Sequence, residues 1–207
     1  MDGHVLVVGG VGIGKSSCIA IPTLQNWKQR AFVIDIKGEL YEKIKYKHNI
    51  KVFNPLDGNS HGYDPFSNLR KFFFATSQEA RAISQSIIPL PPNTHDPFWI
   101  ENAQAILTSA ILHYNEQELS FLDTLRAIQS TAPKTLIKKL STSTVYEATY
   151  LINSLLDIDD KVLSSIMAEL SRNIAPFIID RDIVSALSRE KNITPDDLEY
   201  GYDIMVL

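Results

Sequence analysis

The sequence predicts an α/β fold, a partial parallel sheet built around a P-loop and interrupted by an all-helical insertion. Three observations lead there. Over residues 1–69, short β-branched runs alternate with helical pattern, the order that makes right-handed βαβ units and a parallel sheet. From about Lys71 to Arg189 nearly every segment has helical periodicity instead. The last residues, DIMVL, return to a β pattern. The expected division is 1–69 for the front of the α/β domain, 70–190 for the all-alpha insertion, and 191–207 for the chain re-entering the sheet.

Each element follows from its residues. HVLVV (His4–Val8) is a compact β-branched run, expected as a strand buried on both faces of the sheet. A helix opens near Gly14, and Pro22 is expected to end or kink it after about two turns. AFVIDI (Ala31–Ile36) and KVFN (Lys51–Asn54) give the second and third strands, each after a helical stretch. Asn54 to Asn68, with its cluster of turn formers, reads as a loop. In the helical region Asp96 is the expected N-cap and Pro97 the first helical residue of a long helix, with apolar residues at 99, 103, 106, 107, 110, 111 and 114. Ser120 with Asp123, and Thr144 with Glu147, have capping-box spacing. Leu163, Ile166, Met167, Leu170 and Ile174 form a stripe that Pro176 is expected to close, and Asp180 reads as an N-cap. Thr194 to Asp197 start a short helical turn, and Gly201 releases the final strand. A strand in the closing residues raises the expectation that the domain is cut there.

Composition bounds the function. Of 207 residues, 44% are hydrophobic and 21% charged, as in soluble globular proteins. A net charge of −4 gives no global basic footprint, so nucleic acid would have to be held by a local patch or an oligomeric ring. Cys18 is the only cysteine, which excludes an internal disulfide and suits a reducing compartment. No apolar run approaches the roughly 18 residues of a membrane span, and no signal peptide precedes the first strand. Taken alone, the chain is expected to be soluble and cytosolic.

The chemistry concentrates in Gly9-x-x-x-x-Gly14-Lys15-Ser16, the full P-loop pattern, lying between a β run and a helix. Glycines let backbone N–H groups converge on phosphate oxygens, and the helix adds its positive N-terminal end. The residues expected to hold ATP are Gly9, Gly10, Gly12, Ile13, Gly14, Lys15, Ser16 and Ser17. Lys15 would reach the β- and γ-phosphates, the Ser16 hydroxyl would ligate Mg²⁺, and Gly12 would give close backbone approach. Cys18 reads as a small buried hydrophobe rather than a redox group.

FVIDIKGELYEKI raises a second site. Asp35 ends an apolar run, as does a carboxylate that holds Mg²⁺ through water, but only a single crossover separates it from the P-loop. No Asp-Glu pair follows an apolar run anywhere in the chain. Lys37 to Glu39 capping the following helix is the structural alternative.

The P-loop, IPTLQNW after it, Asp35-x-Lys37-Gly38-Glu39-Leu40-Tyr41, FNPLD, YDPF, DPFW and the closing DLEYGYDIMVL together resemble the TraG-like type IV secretion coupling proteins. The resemblance implies a RecA-like nucleotide domain interrupted by an all-alpha domain, in a membrane-tethered homo-hexameric ATPase at the cytoplasmic face of the bacterial inner membrane. Such a protein delivers relaxase–DNA complexes or effector proteins to type IV secretion channel components. Substrate selection falls to residues 70–190, with DNA among the partners. The departures are the lack of transmembrane helices and of the later Walker B strand. The chain is therefore expected to bind ATP but hydrolyse it negligibly by itself.

Other candidates are weaker. Lys134, Lys138 and Lys139, with Arg126 upstream, read as a solvated basic face before a DNA contact. Trp99 and Tyr114 read as packing anchors rather than base-stacking platforms. The five histidines have no metal-ligand spacing. The reading from a different class is a non-catalytic substrate- or adaptor-binding module with a vestigial P-loop. A small-molecule P-loop kinase lacks its lid arginines.

Overall fold

A computed structural model describes residues 3–46, 49–70 and 76–207 of the chain. It is mixed α/β and divides into two compact units, one of residues 1–63 with 189–207, the other of residues 64–188.

The first unit is built on a three-stranded parallel sheet. Its strands are β1 (Phe32–Ile34), β2 (Ile50–Phe53) and β5 (Asp203–Val206), in the order β1-β5-β2. Thus the last strand in sequence is the central one. Phe32 stands opposite Ile204, and Ile50 opposite Asp203. β5 is enclosed accordingly, with Ile204 and Met205 buried and both of its edges hydrogen-bonded. Parallel strands of one sheet need crossover connections rather than tight turns, and helix α2 (Glu39–Ile44) lies in the one from β1 to β2, each of which neighbours β5 and not the other. A second, two-stranded parallel pair joins β3 (Gly62–Tyr63) to β4 (Asn192–Ile193), and a short helix α10 (Asp196–Glu199) leads into β5.

Two expectations fail in this unit. The run His4–Val8 forms no strand, and Val5, Leu6 and Val8 are more than four-fifths exposed. β-branched residues favour extended backbone, but a strand also needs a hydrogen-bonding edge and a face to cover. The run pairs with neither β1 nor β2. Pro22 does not end the helix either. A π-helical turn over Lys15–Ala20 passes into α1 (Ile21–Asn26), and Pro22 lies in the first turn of α1. The missing N–H falls directly after the π-helical turn, where the Ile21 N–H already bonds five residues back to the Ser16 carbonyl, so the usual ladder that proline would break is shifted at this point.

The second unit is helical. It comprises α3 (Thr76–Ile87), α4 (Phe98–Glu116), α5 (Phe121–Ser130), α6 (Pro133–Ser141), α7 (Tyr146–Ile152), α8 (Asp160–Ile179) and α9 (Arg181–Leu187). Helix α4 is its axis and packs on α3, α7 and α8. It is buried without interruption from Ile106 to Tyr114, the pattern of a helix enclosed on all sides. The predicted stripe of α8 (Leu163, Ile166, Met167, Leu170, Ile174) is buried in the same core. Each fully buried aliphatic side chain contributes about 1.5–3 kcal/mol relative to exposure. α8 is the one helix among the described residues long and apolar enough to cross a membrane. Packing against α4, α5 and α6 accounts for that apolar character within the unit.

Helix ends test the capping expectations. The Ser120 hydroxyl accepts the Asp123 N–H at 3.1 Å, and Asp180 accepts N–H bonds from Asp182 and Ile183. Asp96 accepts the Phe98 N–H at 3.2 Å, although Pro97 rather than Asp96 is the residue bordering the helix. Thr144 and Glu147 make no capping box. Helix α7 begins at Tyr146, so Thr144 lies one position too early, and the Ser143 hydroxyl accepts the Val145 N–H instead. Pro176 does not close α8, which continues to Ile179. Proline removes one intrahelical donor but leaves its own carbonyl, and that carbonyl accepts the Asp180 N–H at 3.3 Å. Tyr114 is buried in the core and Trp99 packs partly buried against it.

Candidate functional site

The glycine-lysine loop of the first unit is held together by its own lysine. The Lys15 ammonium donates to the carbonyls of Gly9 and Gly10, both at 2.7 Å. Gly12 has φ +80° and Gly14 φ +93°, a region in which L side chains are strained. These two glycines turn the chain so that residue 15 folds back over residues 9 and 10. At Gly9 the exposed Ile13 side chain lies close by and would have to turn aside for any larger residue. A Cβ there would fall 2.1 Å from Ile13 Cδ1.

The electrostatics of the loop are one-sided. Among the described residues no carboxylate pairs with Lys15, whose partners are neutral carbonyls. A cation satisfied only by dipoles retains its charge for an incoming anion. The Cys18 N–H donates to the Gly14 carbonyl at 2.7 Å, while first-turn donors before it have no intrahelical acceptor. Ser16 and Ser17 are exposed, and the Ser17 hydroxyl reaches toward the Gly14 carbonyl at 3.4 Å. Ile13 is exposed as well. Cys18, expected to be buried, is exposed too, because the helix carrying it has no neighbouring strand at His4–Val8 to pack on.

This donor set suits a polyphosphate. One ammonium, backbone N–H groups at a helix start and two hydroxyls are the groups that bind phosphate oxygens. A metal ion has less. Among the described residues no group of three or more His, Cys, Asp or Glu side chains is gathered to hold one. Mg²⁺ would therefore depend on Ser16 and on the phosphates themselves, as is usual for this ion.

Asp35 is buried at the C-terminal end of β1, and its Oδ2 is engaged. It accepts the N–H groups of Leu40 and Tyr41 at 2.9 and 3.0 Å. Gly38, at φ +69°, makes the turn that aims α2 back at this carboxylate. Asp35 rather than Lys37 to Glu39 thus satisfies the first turn of α2.

Two residues unnoticed in the sequence organise the rest of the unit. The Arg189 guanidinium donates to the carbonyls of Asn54, Pro55, Ser60 and His61 and to the Ser60 hydroxyl, locking the loop between β2 and β3. Lys51 meets the buried Asp197 at 2.7 Å and lies 4.8 Å from the centre of the Tyr202 ring. Asp197 also accepts the Thr194 N–H. Neither partner pair is legible locally, since each spans more than 120 residues of sequence.

Of the four basic residues expected to share a face in the second unit, three are engaged. Lys134 pairs with Asp160 at 2.6 Å, Arg126 with Asp123, and the Lys139 ammonium sits 4.7 Å from the Tyr114 ring centre.

A glycine-lysine loop preceding a small parallel sheet in the chain, with a helical unit inserted before the sheet's central strand, places the chain among mixed α/β proteins with an interposed helical unit. The sequence profile of the type IV secretion-system coupling protein DNA-binding domain matches residues 1–184, and the chain belongs to that family. It is similar to the conjugal transfer protein TraG of Escherichia coli, with 24% identity over 117 residues. That stretch is 53% of this chain and 18% of the relative's length.

Proposed function

We propose that this chain is the ATP-binding part of a type IV secretion or conjugation coupling ATPase, which recruits DNA–protein or protein substrates and drives them to the secretion channel. The observation that carries the reading is Lys15. Its ammonium spans a glycine-shaped loop on neutral acceptors alone, within a chain of the coupling-protein family. Lys15 and the loop N–H groups would hold the phosphates, and the Ser16 hydroxyl would face Mg²⁺. The sheet is read as part of a RecA-like domain, assembled as a hexamer at the inner face of a membrane. Bound nucleotide supplies the free energy of hydrolysis. This chain's residues supply binding and orientation, and a water-activating glutamate is assigned to none of them.

Calorimetric titration with Mg-ATP tests the proposal. Wild type should bind, and Lys15→Ala should weaken binding at least about tenfold, since a hydrogen bond to a charged group contributes about 1.5–3 kcal/mol. Hydrolysis by the isolated chain should stay at background. A folded wild type that binds no Mg-ATP would overturn this reading in favour of a non-catalytic binding module.

A further inference from the structure

The helical unit carries a groove of about 710 Å³ between α3, α4 and α7. Its lining is unusual for a surface that merely faces water. Tyr146 and Tyr150 are 73% and 66% exposed, and their rings lie side by side, 6.2 Å apart and inclined by 31°. They stand one turn apart on α7, so they share a helix face. Leu90, another exposed apolar side chain of this unit, lines the same groove. Large exposed aromatics contribute little to folding, and their concentration at one groove marks an interaction surface.

Charge decides the partner. Glu101 and Glu147 line the groove, and among the described residues neither has an ion-pair partner. Among the described residues Arg81 is the single cation of the lining. Two carboxylates against one guanidinium leave the groove net negative, which opposes a phosphate backbone. The same pair of carboxylates beside two open tyrosine faces suits cationic side chains. A guanidinium or ammonium is attracted to an aromatic face and to a carboxylate at its edge. Gln78, on the α3 side, offers an amide that both donates to and accepts from a peptide backbone.

We propose that this groove docks a basic peptide segment, rich in arginine or lysine, belonging to a protein partner. Cationic side chains lie over Tyr146 and Tyr150 and pair with Glu101 and Glu147. The inference supplies a partner chemistry for the recruiting role proposed above, and rests on that role only for where the partner comes from. It is independent of nucleotide binding at Lys15.

The test is fluorescence anisotropy on the full chain with three labelled probes: a twelve-residue peptide of alternating Arg and Ser, its Glu-Ser counterpart, and a twelve-nucleotide oligo-dT. The Arg-Ser peptide should bind in a salt-sensitive manner and the other two should not compete. The double variant Tyr146→Ala/Tyr150→Ala should weaken binding about tenfold, as expected for loss of two cation–π contacts. Glu101→Gln/Glu147→Gln should weaken it by a similar factor, Tyr146→Phe/Tyr150→Phe should retain it, and Lys15→Ala should leave it unchanged. The four substituted groove side chains are exposed, and circular dichroism of each variant checks the fold. Equal binding of the Glu-Ser peptide would overturn the proposal. So would displacement by oligo-dT, or tighter peptide binding by the Gln variants. Failure of ATP binding with peptide binding intact would sink the nucleotide reading alone.

Discussion

Replacing Asp35 with alanine separates a structural carboxylate from a metal-side one. The side chain is buried, and its Oδ2 takes the N–H groups of Leu40 and Tyr41. Losing a cap costs about 0.5–2 kcal/mol, and a hydrogen bond to a charged group contributes about 1.5–3 kcal/mol. Leu40 and Tyr41 are half-buried, so water recovers part of what their N–H groups lose. The net cost is then about 2 kcal/mol. For a chain of this size that corresponds to a fall in Tm of roughly 4–8 °C. Urea titration and thermal melting followed by circular dichroism would measure it. Asp35→Asn keeps one acceptor oxygen without the charge and should lose about half as much. Both variants should bind Mg-ATP as tightly as wild type under conditions where they are folded. An Asp35→Asn chain that melts like wild type but loses the Mg²⁺ dependence of nucleotide binding would refute the capping role and return Asp35 to the metal side.

Acid should expose the ion pair between Lys51 and Asp197 of α10. Burial alone would push the Asp197 carboxyl up, but the Lys51 ammonium, the Thr194 N–H and the charge of His61 outweigh it and hold it below the usual range. A depressed native pKa adds stability that is fully present above the unfolded value, near 3.9, and lost as pH falls through the native one. The urea midpoint should therefore drop below about pH 4, and Lys51→Met should flatten that acid limb. An unchanged limb in Lys51→Met would show that the pair is not its source. Gly14→Ala should cost about 1–2 kcal/mol, since φ is +93° and the new Cβ would lie 2.9 Å from Cys18 Sγ. Gly10→Ala, whose Cβ meets nothing nearer than 4.0 Å, should melt close to wild type in the same assay.

Much of the helical unit was readable because its signals are local. The stripe on α8, the caps at Ser120 and Asp180, and the buried run through α4 depend on residues three or four apart. Misreadings were of register and of ends. Thr144 had the right spacing to Glu147 but stood outside the helix, and Pro176 fell where losing one donor does not stop the last turn. In the candidate site, the sequence located the glycines and Lys15 but not what Lys15 touches. It flagged Asp35 but not the two N–H groups that occupy it. The paired tyrosines of α7 passed unnoticed, since an aromatic at helical spacing reads as core until its exposure is known.

By itself, then, the sequence determined the alternation of strands and helices, the helical stretch between them and the glycine pattern of the loop. These follow from side-chain periodicity and from backbone conformations that only certain residues adopt. The tertiary structure decided which strand takes the centre of the sheet, and left His4–Val8 outside it. It also brought Lys51 to Asp197 and Arg189 to the loop after β2. Those outcomes depend on hydrogen-bonding edges and charges contributed by segments far apart in the chain. No local pattern encodes which edge or which charge will be there to receive them.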